Sequence, residues 1–179
     1  LYLELDGVSK RHRDDFEVVF VDDGSTDATL AAVRELNVHD PRFTAVSLSR
    51  NFGKEIAIAA GLSRVRGDAA VIIDADLQHP PELIARFLEK WREGYQVVYG
   101  QRTDRDTDGF FRRLYSRAFY RLFNALVRTD IPDGAGDFRL LDRRAIDAMN
   151  ALKETSRFNK GLYSWIGFRT IGVPYVIAE

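Results

Sequence analysis

Phe16-Glu17-Val18-Val19-Phe20-Val21 is a short run rich in β-branched and aromatic residues, and it stops at Asp22-Asp23-Gly24-Ser25. An apolar run closed by a turn signal reads as a strand buried on both faces. A helix is expected over residues 27–36, with Ser25 or Thr26 as its cap and Asp27 in its first turn. The pattern then repeats. A strand over 43–48 precedes a helix over 54–64, which ends near Gly67. A strand over 69–73 runs into Asp74-Ala75-Asp76, and Pro80-Pro81 opens a helix that reaches Glu93. A fourth strand covers 96–99. Strands alternating with helices at this spacing form right-handed βαβ units on a mostly parallel sheet. Ligands bind such sheets outside the carboxyl ends of the strands. Both acidic clusters, Asp22-Asp23 and Asp74-Ala75-Asp76, fall at those ends.

Beyond Gly100 the character changes. Residues 103–109 are polar and loop-like. Residues 110–127 form a long helix, with Phe110, Leu114, Ala118, Leu122 and Leu126 spaced by four and Arg112, Arg113, Arg117 and Arg121 between them. A Gly/Pro/Asp loop over 130–136 leads to a short strand over 137–141 and a helix over 143–152. Residues 159–166 are helical, and 170–177 are extended around Pro174. One domain over residues 1–179 accounts for the pattern, with no linker that divides it.

The totals bound the function. The chain has 179 residues, 45% of them apolar, and a formal charge of −1, which is a globular composition. The near-zero charge argues against a nucleic-acid partner. The absence of Cys removes disulfides and thiolate metal sites. The 26 basic residues comprise 21 Arg and 5 Lys, an excess that suits phosphate handling. The neutrality is a cancellation: from Arg102 to Arg128 there are seven Arg against three Asp. A basic helix with interleaved aromatic residues suits a membrane surface, and equally a core helix with a solvated face.

Side chains at i and i+2 of a strand end point the same way. Asp74 and Asp76 therefore suit a hard divalent cation, Mg²⁺ or Mn²⁺, with Gln78 able to add an amide oxygen. Taken alone, D-x-D is also ordinary turn chemistry. Asp22 and Asp23 can accept from ribose hydroxyls or base N–H groups, or close an Asx-turn at Gly24. Neither a P-loop nor a dinucleotide fingerprint is present, so phosphate charge must be met by metal and Arg. Arg112 and Ser116, one turn apart, can grip a phosphate together. Asp137 follows a Gly-rich loop, with Arg139 as its partner in the strand alternation. Arg50, Asn51 and Lys54 lie past the second strand. The three His residues show no ligand spacing and read as surface or turn residues.

Four motifs in order and register carry a resemblance: Asp22-Asp23-Gly24-Ser25-Thr26-Asp27, then Ser49-Arg50-Asn51-Phe52-Gly53-Lys54-Glu55, then Asp74-Ala75-Asp76-Leu77-Gln78-His79-Pro80-Pro81-Glu82, then Gly136-Asp137-Phe138-Arg139-Leu140. Together they resemble the inverting A-fold glycosyltransferases that load a sugar onto polyprenyl phosphate, bactoprenol glucosyltransferases and dolichyl-phosphate mannose synthase among them. The resemblance implies a Rossmann-like α/β fold, a mostly parallel sheet flanked by helices, and an amphipathic interface helix. It implies a nucleotide-sugar donor, with UDP-glucose the expected one, and a polyprenyl phosphate acceptor at a membrane surface. Asp22, Asp23, Ala75 and Lys54 fall on the nucleotide side, with Asp74 shared between nucleotide and metal. Asp74, Asp76 and Gln78 are the implied Mg²⁺ or Mn²⁺ contacts. Arg102, Arg112, Ser116 and Arg139 fall on the phosphate side, and Asp137 is the acidic residue of the acceptor loop. His79 stands where many relatives carry Asp. The family also has a strand ahead of the region that begins here, and a basic lid and membrane segments after its last strand. The expectation is therefore a piece of a longer enzyme anchored at the cytoplasmic face of the membrane, with self-association open. A transferase with another donor or a soluble acceptor is the alternative, as is a non-catalytic nucleotide-binding module.

Overall fold

The computed structural model describes residues 4–7, 15–76, 78–103, 135–152 and 158–176. The expected interface helix over 110–127, and with it Arg112 and Ser116, lies outside the described residues. A helical turn at 4–7 precedes β1 (Val18–Asp22), α1 (Thr29–His39), β2 (Phe43–Ser47), α2 (Lys54–Leu62), β3 (Ala69–Ile72), α3 (Leu83–Arg92), β4 (Val97–Arg102), β5 (Ala135–Asp142), α4 (Arg143–Ala151), α5 (Asn159–Trp165) and β6 (Thr170–Tyr175).

The strands form two groups. β1 pairs in parallel with β2, in register from Val18 opposite Phe43 to Asp22 opposite Ser47. The second sheet has the order β3-β5-β4-β6. In it β5 runs antiparallel to both neighbours while β4 and β6 are parallel, so β5 is the reversed strand of this sheet. The expected Rossmann-like α/β arrangement is present as two sheets flanked by helices, with parallel pairing at β1–β2 and β4–β6 and antiparallel pairing on both sides of β5.

Strand alternation builds the two faces. Val97 and Leu141 face one side, where Leu62, Ala145, Ile146, Met149 and Tyr163 close over them. Val98, Leu140 and Phe138 face the other, under Leu83, Phe87, Val173 and Tyr175. Neighbouring residues of one strand thus feed opposite layers. Truncating a side chain as deep as Phe87, which is 0% exposed, costs about 3–5 kcal/mol.

Three local details differ from the sequence reading. α1 starts at Thr29, with Ala28 as the residue before it and Asp27 outside the helix, where its carboxylate accepts from the Thr29 N–H at 3.0 Å. Ser25 lies in the preceding turn, and its N–H donates to Asp22 Oδ1 at 3.0 Å. α3 starts at Leu83, because Pro80 and Pro81 form the preceding turn through their carbonyls. β4 extends to Arg102 and β5 starts at Ala135, since pairing between Gln101 and Ala135 prolongs both strands past their apolar cores.

Candidate active site

β1 ends in two carboxylates that are consumed locally. Asp22, 7% exposed, accepts from the Ser25 N–H and from Ser47 Oγ at 3.2 Å. The bonds from Ser25 hold its carboxyl below the usual aspartate range. Asp23 accepts from the Phe52 N–H through Oδ1 and the Gly53 N–H through Oδ2, both at 2.8 Å. It therefore fixes the loop that starts α2. Gly24 between these bonds has φ +76°, and a Cβ there would meet the Arg50 carbonyl carbon at 2.4 Å. Only glycine meets both demands.

The second group of acids comes from two strands running in opposite directions. Ile72 of β3 pairs with Arg139 of β5. Continuing that antiparallel register sets Asp74 opposite Asp137. Lys54, the first residue of α2, reaches across both: Nζ is 2.8 Å from Asp74 Oδ2 and 2.9 Å from Asp137 Oδ2. Burial lowers the lysine pKa, but the hydrogen bonds and charges of Asp74 and Asp137 outweigh it, and the net shift is upward. Asp74 is lowered to about 2, first by His79, whose Nε2 lies 3.7 Å away, and then by Lys54, against burial that raises it. Lys54 and Asp74 are both ionised at neutral pH.

The sequence reading misplaced His79. Its side chain is 14% exposed, with the ring stacked on Phe138 at 4.9 Å. Nδ1 lies 2.9 Å from the Tyr175 hydroxyl, and Nε2 lies 3.7 Å from Asp74 Oδ2. An aromatic shelf provided by β5 and β6 holds the ring there, and no spacing in the sequence reveals it. The Glu55–Asn159 pair was also missed. Asn159, fully buried, donates its N–H to Glu55 Oε2 at 2.9 Å and its amide to the Glu55 carbonyl at 3.2 Å. These bonds tie the first turn of α5 to the first turn of α2.

The remaining candidates occupy distinct places. Arg139 is 3% exposed, with its guanidinium 3.7 Å over the Tyr163 ring and Nη2 donating to the Gly136 carbonyl. Burial pulls its pKa down. In this position it braces β5 against α5 from inside. Asp137 is recessed at 12% exposed, and its Oδ1 is buried without a hydrogen-bond partner among the described residues. Arg102 is exposed as the last residue of β4. Ala75 and Asp76 form the exposed turn after β3, where Asp76 Oδ1 accepts from the Gln78 N–H at 3.0 Å.

Among the described residues no three His, Cys, Asp or Glu side chains gather into a ready-made metal cage. A hard cation that stays bound to substrate phosphates needs only one or two carboxylates from the protein. The donor set meets that demand. Asp76 is exposed, with Oδ2 making no hydrogen bond or ion pair among the described residues. Asp74 stands two residues away, and the exposed Gln78 adds an amide oxygen. These oxygen donors fit Mg²⁺ or Mn²⁺.

Comparison with known proteins identifies the family and the fold. The family described as Glycosyl transferase family 2 matches residues 5–149. The chain is 47% identical over 178 residues to the uncharacterized glycosyltransferase YkcC of Bacillus subtilis, covering 99% of this chain and 55% of that protein. It is 44% identical over 163 residues to the bactoprenol glucosyl transferase of Shigella phage SfX, covering 91% of this chain and 53% of the relative. The chain thus spans about half the length of the curated relatives it matches. Among solved structures, the mannosyltransferase PcManGT from Pyrobaculum calidifontis, in complex with GDP-Man and Mn²⁺, superposes with a TM-score of 0.64 at 23% identity. That alignment covers 99% of this chain and 52% of PcManGT, and it supports the Rossmann-like A-type fold. On the family match and the identity to its relatives, the chain belongs to glycosyl transferase family 2, a family of glycosyltransferase enzymes.

Proposed function

We propose that this chain is the catalytic domain of an enzyme that transfers glucose from UDP-glucose to polyprenyl phosphate, with inversion at the sugar C1. The observation that carries the reading is the meeting of Asp74 and Asp137 on Lys54 beside the open Asp76. It gathers a donor-side and an acceptor-side acid at one end of the neighbouring strands β3 and β5. The 44% identity to a bactoprenol glucosyl transferase supports the choice of acceptor class and sugar.

In this reading the lipid phosphate oxygen attacks C1, the bond from C1 to the diphosphate oxygen breaks, and its electron pair leaves with UDP. Asp74 and Asp76, with Gln78, would hold Mg²⁺ or Mn²⁺. When bound, the ion neutralises charge that builds on the departing diphosphate. Asp22, Asp23 and Ala75 line the nucleoside side. Arg102 receives phosphate charge at the end of β4, with Arg112 and Ser116 doing so on the helix expected over 110–127. The acceptor phosphate is already largely ionised near pH 7, so Asp137 orients it or takes a residual proton rather than driving the step. A basic helix that meets an anionic lipid would suit a reaction at a membrane surface, and the cytoplasmic face, with its anionic lipids, is the face this reading assigns. Among the described residues no helix is long and apolar enough to cross a membrane.

The test is a donor screen of the full-length protein. UDP-glucose, GDP-mannose and a UDP-aminopentose, each labelled in the sugar, are offered with polyprenyl phosphate in anionic vesicles and Mn²⁺. The expected result is labelled lipid from UDP-glucose. Labelled lipid from another donor alone would replace the sugar assignment. Label that enters only a water-soluble acceptor would overturn the lipid assignment.

A further inference from the structure

Lys54 sits where a lysine is electrostatically out of place. It is the first residue of a nine-residue helix, and a positive charge there opposes the helix dipole. Two carboxylates at 2.8 and 2.9 Å offset that cost. Its residue type is also unusual for this chain, which has 21 Arg and only 5 Lys. Most of the other described ion pairs use Arg: Arg42 with Asp40 and Asp6, Arg66 with Glu17, and Arg143 with Asp147, whereas Lys90 with Glu93 is a local pair within one helix end. An arginine locks carboxylates in a planar fork, whereas an ammonium is a compact point charge on a flexible stem. Such a group can exchange with a metal ion at the same oxygen.

The surroundings separate a fixed base from a mobile head. Asp23 pins the N–H groups of Phe52 and Gly53, and Glu55 is bonded to Asn159, so the backbone on both sides of Lys54 is held. The Lys54 side chain itself is 46% exposed. Of its two partners, Asp74 is the more open, at 34% against 12% for Asp137.

The geometry points to Lys54 as the resident cation of the donor site, a positioning residue that holds Asp74 and Asp137 together in the unliganded chain and yields Asp74 to the divalent ion. The inference rests on Asp74 and Asp76 as the metal ligands. An arriving divalent ion repels the ammonium from Asp74, and the short remaining reach keeps it on the recessed Asp137. Loading of the donor side thereby changes the charge environment of the acceptor-side acid. No bond is made or broken in this exchange.

The test is Mn²⁺ binding to the full-length protein without nucleotide, read from the electron-spin resonance signal of free Mn²⁺. Lys54→Gln removes the competitor, and its affinity should be about twofold to fivefold tighter than that of the parent, the range of an exposed ion pair. Lys54→Arg keeps the charge but grips the carboxylates more firmly, and its affinity should be weaker than the parent's. Opposite shifts from these two variants are the signature of competition, because a merely structural role moves both the same way. Unchanged or weaker Mn²⁺ binding in Lys54→Gln overturns the inference, as does tighter binding in Lys54→Arg. Asp76→Asn separates the two levels. Loss of Mn²⁺ binding there with no opposite shifts at Lys54 refutes the exchange alone, whereas retention of parental binding refutes the metal assignment and the exchange with it.

Discussion

The acids at the end of β1 and the acids at the ends of β3 and β5 are held in different ways. Asp22 and Asp23 take their hydrogen bonds mainly from backbone N–H groups of Ser25, Phe52 and Gly53. Asp74 and Asp137 share one side-chain ammonium, with the His79 ring also beside Asp74, and Asp76 is left largely to solvent. A carboxylate bonded to backbone fixes a loop and can leave it only if the loop moves. A carboxylate bonded to a flexible cation can change partner with no backbone rearrangement. The first group therefore shapes the site, and the second performs the chemistry proposed for it.

The largest expected effect falls on the second group. Asp76→Asn should lower glucosyl transfer about 10²- to 10³-fold, the scale of removing one preorganised electrostatic contact at a developing charge. Asp137→Asn should cost far less, because the acceptor phosphate arrives ionised. Initial rates at saturating Mn²⁺ check this, and equal losses would erase the division of labour between the two acids.

Stability should report the first group. Asp23→Ala removes two charge-assisted backbone bonds and should cost about 1.5–3 kcal/mol in urea unfolding. Unchanged stability would move Asp23 into the exchangeable class. Gly24→Ala strains the same turn, through its positive φ and the close Arg50 backbone, and should cost about 1–3 kcal/mol by the same measurement.

The smallest effect lies at the far end of the sheet, where the two groups of strands are clasped. Glu17, just before β1, accepts from the Arg66 N–H at 2.6 Å and pairs with the Arg66 guanidinium at 3.1 Å, just before β3. Burial raises the Glu17 pKa, but the Arg66 bonds outweigh it and set it below its ordinary 4.5. The ionised form therefore stabilises the fold above about pH 4.5, and that contribution is lost as the pH falls through the lowered folded value. Glu17→Gln should lower the melting temperature slightly at pH 7 and flatten its decline between pH 5 and 3, so that the variant and the parent converge near pH 3.

The alternation of strands and helices was legible because apolar runs and turn residues are local signals. The first four strands carry such runs, and they placed Asp22 and Asp23 at the end of β1 and Asp74 and Asp76 just past β3. Less legible was anything set by contact across the sheet. The reversal of β5 brings Asp137 beside Asp74, and no local pattern encodes a strand's direction. The aromatic shelf under His79 draws on Phe138 and Tyr175, which lie 59 and 96 residues away in sequence. The bridge by Lys54 depends on both. Boundary differences have a simpler origin: α1 starts at Thr29, four residues past Ser25, and the Asp27 carboxylate accepts the Thr29 N–H.

The contrast between backbone-held and cation-held acids is tested most directly by calorimetry of UDP binding to the full-length protein, with and without Mn²⁺. The account predicts that Mn²⁺ tightens UDP binding in the parent, that Asp76→Asn abolishes this metal dependence, and that Asp23→Asn retains it. Metal dependence that persists in Asp76→Asn, or that disappears in Asp23→Asn, would contradict it.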